Sequence, residues 1–302
     1  MYKKLGVLVL LSAVLVLPAT ARPRMVVGNG QYVSHDMMEV APFSKLVVNG
    51  QTEVEFWQTE DESYQMSVSG PENLVELVEV NSQDGALTIR YKEPLLVLGD
   101  HHLRVAVMAP KIERVEVHEA GEVKFTGPLA VADLTVLADG KGEIDFDAVQ
   151  AGAVRVEVQG DAEVDFTALT CQALHVDATQ TATFDAQRTD CNSVSVKASN
   201  RANVSISGLN GQNIVAESWH SSEMELKGKV SSATLTARGR SELDAGSLQA
   251  ENADVMAESS ARIDVRVSDT LNAQTQGRGV VEYKGWPKQI NRSGKGTVKQ
   301  DK

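Results

Sequence analysis

Apolar residues recur along this chain in paired positions, and the pairs repeat. A first marker falls at Val115, Val136, Val156, Val176, Val196, Ala216, Leu235, Val255 and Ala273. Eight residues after each comes a second: Val123, Ile144, Val164, Phe184, Val204, Met224, Leu243, Ile263 and Val281. The interval of eight holds across all nine copies, and successive copies lie close to 20 residues apart. A fixed period of that size marks a solenoid. Around each marker apolar and polar residues alternate, as in Val154/Val156 and Ile144/Phe146, which is the two-residue period of a strand. Four residues after the first marker stand Gly140, Gly160, Asn200, Gly239 and Gly277. A tight corner needing positive φ selects those residue types. Gln180, His220 and Ser259 hold the same place in other copies, where looser corners are expected. A third inward position recurs at Val149, Leu169, Leu209, Val230 and Leu248, with length variation expected after it.

Strands joined by such corners and stacked once per turn predict an all-β fold, a parallel β-helix that strand twist makes right-handed. Nine turns spaced by about 4.8 Å give a rod roughly 40 Å long. A helical solenoid would need a period of about 33 residues or more. Ahead of the regular repeats, 111–298, the alternation at Leu46/Val48, Val54/Phe56, Met66/Val68, Leu87/Ile89 and Val105/Val107 predicts short strands over 41–110. Asn49-Gly50 and Asp84-Gly85 are the turns between them. Only 71–80 has room for a helical turn. The whole of 41–298 reads as one domain behind a polar lead-in, 22–40.

The first 21 residues change the setting. Lys3 and Lys4, the apolar run Leu5 to Leu17 and the small residues Ala19-Thr20-Ala21 form a secretory signal cut near Ala21-Arg22. The apolar run is too short to span a bilayer, which takes about 20 residues. The mature chain is therefore expected outside the cytoplasm: secreted, periplasmic or on the cell surface. It would keep 302 − 21 = 281 residues, with 29 − 2 = 27 Lys and Arg against 41 Asp and Glu, a formal charge of −14. Such a balance speaks against DNA, RNA or anionic lipid as partner. Cys171 and Cys191 lie one period apart, so stacking puts them on neighbouring strands. Strand spacing and disulfide geometry agree, and a bond between adjacent turns is expected.

The same register lines one outer face with carboxylates: Glu143, Asp145, Glu163, Asp165 and Asp185. Stacked acids cost stability unless solvent, salt or a cation offsets them, and hard oxygen donors suit Ca²⁺. No EF-hand spacing or Gly-Gly-x-Gly-x-Asp repeat accompanies them, and a solvated outer face on an acidic secreted protein is the first account of them, a cation site the second. Carboxylates at such distances also serve glycoside hydrolysis, so a polysaccharide-acting enzyme is the alternative. Identical spacing, however, is expected to leave no distinct acid and base. The six His, among them the adjacent His101-His102, form no metal set. Trp219, next to the corner at His220, is a candidate exposed contact. A further alternative is a self-assembling structural protein, a homo-oligomer joined through open solenoid ends, with Trp286-Pro287 folded over one of them.

Four features carry a resemblance. The corner and strand Val156-Glu-Val-Gln-Gly160-Asp-Ala-Glu-Val164 resembles the repeat of the GIN domain family, the auto-transporter adhesin heads of secreted bacterial proteins. Phe43-Ser-Lys-Leu-Val-Val-Asn-Gly50 and Gly85-Ala-Leu-Thr-Ile-Arg90 are similar to its opening strands. Val281-Glu-Tyr-Lys-Gly-Trp-Pro287 with Ser293-Gly-Lys-Gly-Thr-Val298 resembles its closing turn. The resemblance implies an extracytoplasmic β-helix that binds a cell-surface ligand, glycan or protein. It implies neither a catalytic residue nor a cofactor.

Overall fold

The computed structural model describes residues 23–99 and 103–301. The leader and His101-His102 lie outside the described residues. The architecture is a parallel β-solenoid of about nine turns with about 20 residues per turn. Each turn lays three short strand segments on three faces. The first face stacks 133–138, 153–158, 173–178 and 193–198 in register, so Val136, Val156, Val176 and Val196 form one inward column. The second face stacks Glu143, Glu163, Thr183 and Asn203, with Ile144, Val164, Phe184 and Val204 inward. The third inward positions, Val149, Leu169, Leu209, Val230 and Leu248, are all buried.

The bore is narrow, but it is not lined by aliphatics alone. Phe125, Phe146 and Phe166 stack with ring centroids 4.5 Å apart, and Phe56 and Phe184 extend the column at 4.9 and 5.9 Å. The one-strand spacing brings identical rings to stacking distance, which adds about 0.5–1.5 kcal/mol per pair beyond burial. Beside the corner runs a column of very small buried residues, Ala162, Ala182, Ala202, Ser222, Ser241 and Ala261. Its hydroxyls are satisfied internally: Ser222 Oγ donates to the Ala198 carbonyl at 3.1 Å and Ser241 Oγ to the Ser218 carbonyl at 2.8 Å.

Every corner takes the left-handed conformation, whichever residue occupies it. φ runs from 63° to 86° through Glu119, Gly140, Gly160, Gln180, Asn200, His220, Gly239, Ser259 and Gly277. The corners at Gln180, His220 and Ser259 are thus not looser. Backbone N–H groups of Arg201, Arg240 and Arg278 donate to the carbonyls of Gln180, His220 and Ser259 at 2.8, 2.6 and 2.7 Å. Turn-to-turn bonding holds a backbone that a side chain alone would disfavour. Register shifts fall mainly between the second and third faces, at Phe125/Pro128, Ile206/Leu209, Glu225/Lys227 and Ala245/Gln249. That is ahead of the third inward position, not after it.

The stacking reaches upstream of the regular repeats, out of chain order. Lys45–Asn49 lies between Ala86–Tyr91 and Arg114–His118, parallel to both. Glu53–Gln58 likewise lies between Arg104–Ala109 and Glu122–Ala130. The first turn in the chain is therefore second in space. Past it, Val78–Gln83 pairs antiparallel with Ala86–Tyr91, and Gln65–Pro71 with Arg104–Ala109, closing that end of the rod. The two-residue turn Asp84-Gly85, both at positive φ, makes the hairpin. One helical turn, Glu72–Val75, buries Leu74 there. The lead-in, which has no periodicity in sequence, adds the short strands Arg24–Val27, Tyr32–Ser34 and Met38–Glu39.

Trp286 does not fold over the far end, being 84 % exposed. Instead Arg292, opposite Ala273 in register but exposed on the last strand, donates to Tyr283 Oη at 2.7 Å. Gln300 Nε2 donates to the Gly285 carbonyl at 2.9 Å.

Candidate functional site

The acidic strip follows from alternation on the second face. With Ile144/Phe146 and Val164/Phe166 inward, Glu143/Asp145 and Glu163/Asp165 must point out. Parallel register then sets Asp145, Asp165 and Asp185 in one column and Glu143 and Glu163 in the next. Towards both ends of the rod, cations neutralise these columns. Arg104 reaches Glu53 at 3.0 Å and Glu55 at 3.7 Å. Lys227 pairs with Glu225 at 2.7 Å, Arg262 with Asp264 and Glu282 at 2.9 and 2.8 Å, and Lys299 with Glu282 at 2.9 Å. Among the described residues, Glu143, Glu163, Asp165 and Asp185 have no such ion pair.

Asp165 sits at the centre of that gap. Partial burial, then the charges of Glu163, Asp145, Asp185 and Glu143, push its carboxyl up to about 7. One of its oxygens and one of Asp185 are shut from water without a hydrogen-bond partner. Burial likewise raises Glu122, Glu143 and Asp145, but Lys124, opposite Asp145 in register, pulls Asp145 back down. The expectation that uniform spacing keeps all these acids alike is therefore corrected. Burial and the surrounding carboxylates single out Asp165, while Lys124 partly offsets burial at Asp145.

Of the five strip residues, the structure gathers only Glu143 and Asp145 into a compact donor set. Glu122 completes it, each residue offering an oxygen within 4.8 Å of the other two. Oxygen donors of this kind suit a hard cation such as Ca²⁺, though Lys124 already occupies part of the field. Glu163, Asp165 and Asp185 stand outside this group.

Cys171 and Cys191 are paired directly in register, with Cα atoms 4.6 Å and sulfurs 2.14 Å apart. Trp219 is less open than expected. The corner residue is His220, while Trp219 lies half-buried on the first face with Lys197 Nζ 4.3 Å and Arg238 Cζ 5.6 Å from its ring. Sequence reasoning passed over His118, whose Nδ1 is 2.8 Å from Asp139 Oδ2, beside a Glu116 held by Lys45 and Arg114. A separation of 21 residues, one turn, was the available signal.

Residues 42–207 and again 190–287 match the model of the family described as "Putative auto-transporter adhesin, head GIN domain". The chain belongs to that family. The two matches overlap by roughly one turn, as a repeat allows. The solved structure of a "putative adhesin" from Parabacteroides distasonis ATCC 8503 is similar, with 18 % identity and a TM-score of 0.55, over 92 % of this chain and 100 % of the other. One from Parabacteroides merdae ATCC 43184, also titled "putative adhesin", has 17 % identity and a TM-score of 0.53, over 92 % and 100 %. At such identities the likeness shows the fold. No curated protein matches the sequence.

Proposed function

We propose that this GIN-domain chain is a non-enzymatic, adhesin-like binding module that works outside the cytoplasm, delivered by a leader cut near Ala21-Arg22. The observation that carries the reading is the match to the adhesin-head family across nearly all of the solenoid. The paired Cys171 and Cys191 fit an oxidising compartment. No helix among the described residues is long and apolar enough to cross a membrane. The partner is a ligand of a cell surface or its matrix, glycan or protein. Asp165 gives the enzyme alternative little support. Its raised carboxyl stands on an outer sheet face, half in solvent, without the walls that exclude water from hydrolytic sites.

The test is a binding screen of the mature chain against glycan arrays and whole cells, with and without Ca²⁺, coupled to product analysis on uronic-acid polymers. Retained ligand with intact polymer is the expected result. Released oligosaccharide would overturn it in favour of an enzyme, and a chain that binds neither cells nor glycans is no adhesin.

A further inference from the structure

The outer side of the first face changes character along the rod. Near its capped end it carries ion pairs, Lys45 with Glu116 at 2.8 Å and Arg155 with Glu157 at 2.7 Å, and the His118–Asp139 hydrogen bond at 2.8 Å. Over the last four strands the charges thin out. There a shallow groove is lined by Thr234, Thr236, Asp254, Asn272, Gln274 and Asn291, with Met256 in it and Ser293 and Arg292 at its end. Asp254 and Arg292 are its only charged lining residues, one of each sign, in a chain of net charge −12.

Its polar groups fall into two sets. One is already organised: Asn291 Nδ2 donates to Asn272 Oδ1 at 2.7 Å, and Asn272 Nδ2 donates to Asp254 Oδ1 at 2.6 Å. Each Asn amide keeps one N–H free after that relay, and the second Asp254 oxygen still accepts. The other set is unused. Among the described residues, the side chains of Thr234, Thr236, Gln274 and Ser293 have no hydrogen-bond or ion-pair partner, so hydroxyl and amide groups are offered outward. Arg292 is engaged by Tyr283, 5.5 Å from its ring. The strands under Thr234, Asp254 and Asn272 are bonded on both flanks and the last, Gln289–Gly294, on one, so little ordering is lost over most of the floor when a ligand arrives.

From this we propose that the groove over the last four first-face strands binds a neutral oligosaccharide, with Asp254, Asn272, Asn291, Thr236 and Gln274 as its hydrogen-bonding floor. The proposal rests on the adhesin reading and names its ligand class. A polyol presents donors and acceptors in near-equal number and no charge, which the floor matches. A phosphate- or uronate-bearing polymer would find one engaged guanidinium and a carboxylate. Rows repeating at about 4.8 Å are comparable to the length of one pyranose unit, so successive sugars can meet equivalent groups. Met256 supplies the adaptable apolar contact for a ring face.

The experiment is an array of neutral and uronic-acid oligosaccharides probed with the full chain and three variants, backed by titration on the best hit. Thr236→Arg fills the groove from a partly exposed strand position, Asn272→Ala breaks the relay, and Asp165→Asn alters the acidic face instead. Neutral glycans should bind, with affinity falling tenfold or more in Thr236→Arg and Asn272→Ala and unchanged in Asp165→Asn. Unaltered melting of Thr236→Arg separates blocking from unfolding. Preference for uronic-acid glycans, or neutral binding that survives both groove variants, overturns the groove as the site and leaves the adhesin reading standing. Cell binding without any glycan binding does the same and points to a protein partner. Absence of both overturns the two readings together.

Discussion

Asp165→Asn is expected to stabilise this protein, and to do so only above acidic pH. The native carboxyl has a pKa of about 7 against an ordinary 3.8. The folded chain therefore holds this proton more tightly than the unfolded chain does. Stability from the neutral form is fully present below about pH 4 and is lost as pH rises through 7. At 1.36 kcal/mol per pKa unit, the difference 7 − 3.8 = 3.2 sets a ceiling of about 4 kcal/mol. Asp165 is half in solvent, where screening removes most of such energies, so about 1–2 kcal/mol is the working figure. An amide keeps the shape and removes the charge. For a domain of this size the gain corresponds to a rise in Tm of about 2–6 °C at pH 8, shrinking to nothing near pH 4 and diminished by 1 M NaCl. Calorimetry of both chains at pH 4, 6 and 8 reads it directly. Equal melting at pH 8, or a gain that persists at pH 4, would refute the account of the acidic column.

Further substitutions probe the scaffold. Phe146→Ala, in the middle of the ring stack, should cost about 3–5 kcal/mol in chemical denaturation, against under about 1 kcal/mol for an exposed change such as Gln249→Ala. Gln180→Gly should raise stability by up to about 1 kcal/mol by relieving a left-handed side chain. Gly160→Ala should lower it by more, because a Cβ there would lie 2.8 Å from the Gly140 carbonyl oxygen. Identical melting of all three corner chains would remove the strain argument. Replacing Cys171 and Cys191 together by Ser should cost about 3 kcal/mol for a loop of this length. Native chain without reductant should show no titratable thiol, and two thiols would sink the inter-turn bond.

Legibility followed distance along the chain. The eight-residue interval, the corners and the inward columns are local, because alternation and positive φ are properties of a few neighbouring residues. A constant period then carries them into space without further information, which is why Cys171 meets Cys191 and Asp145 lies under Asp165. The Phe stack was written in the same register, at Phe125, Phe146 and Phe166, but composition alone obscured it.

Where the period stops, the sequence stops speaking. Nothing in 41–110 says that Lys45–Asn49 would lie between Ala86–Tyr91 and Arg114–His118, since both neighbours offer equally good strands and only competing long-range pairings choose. Nor does repetition distinguish Asp165 from Asp145. That depends on Lys124 reaching one column position and none reaching the next, so field and burial had to be summed over several turns. The groove beyond Thr234 is likewise a tertiary product. Its Thr, Asn and Gln residues look like ordinary outward positions until four strands set them side by side. The repeat determined the rod and its contents; which stretch of its surface differs from the rest was decided only when the turns were stacked.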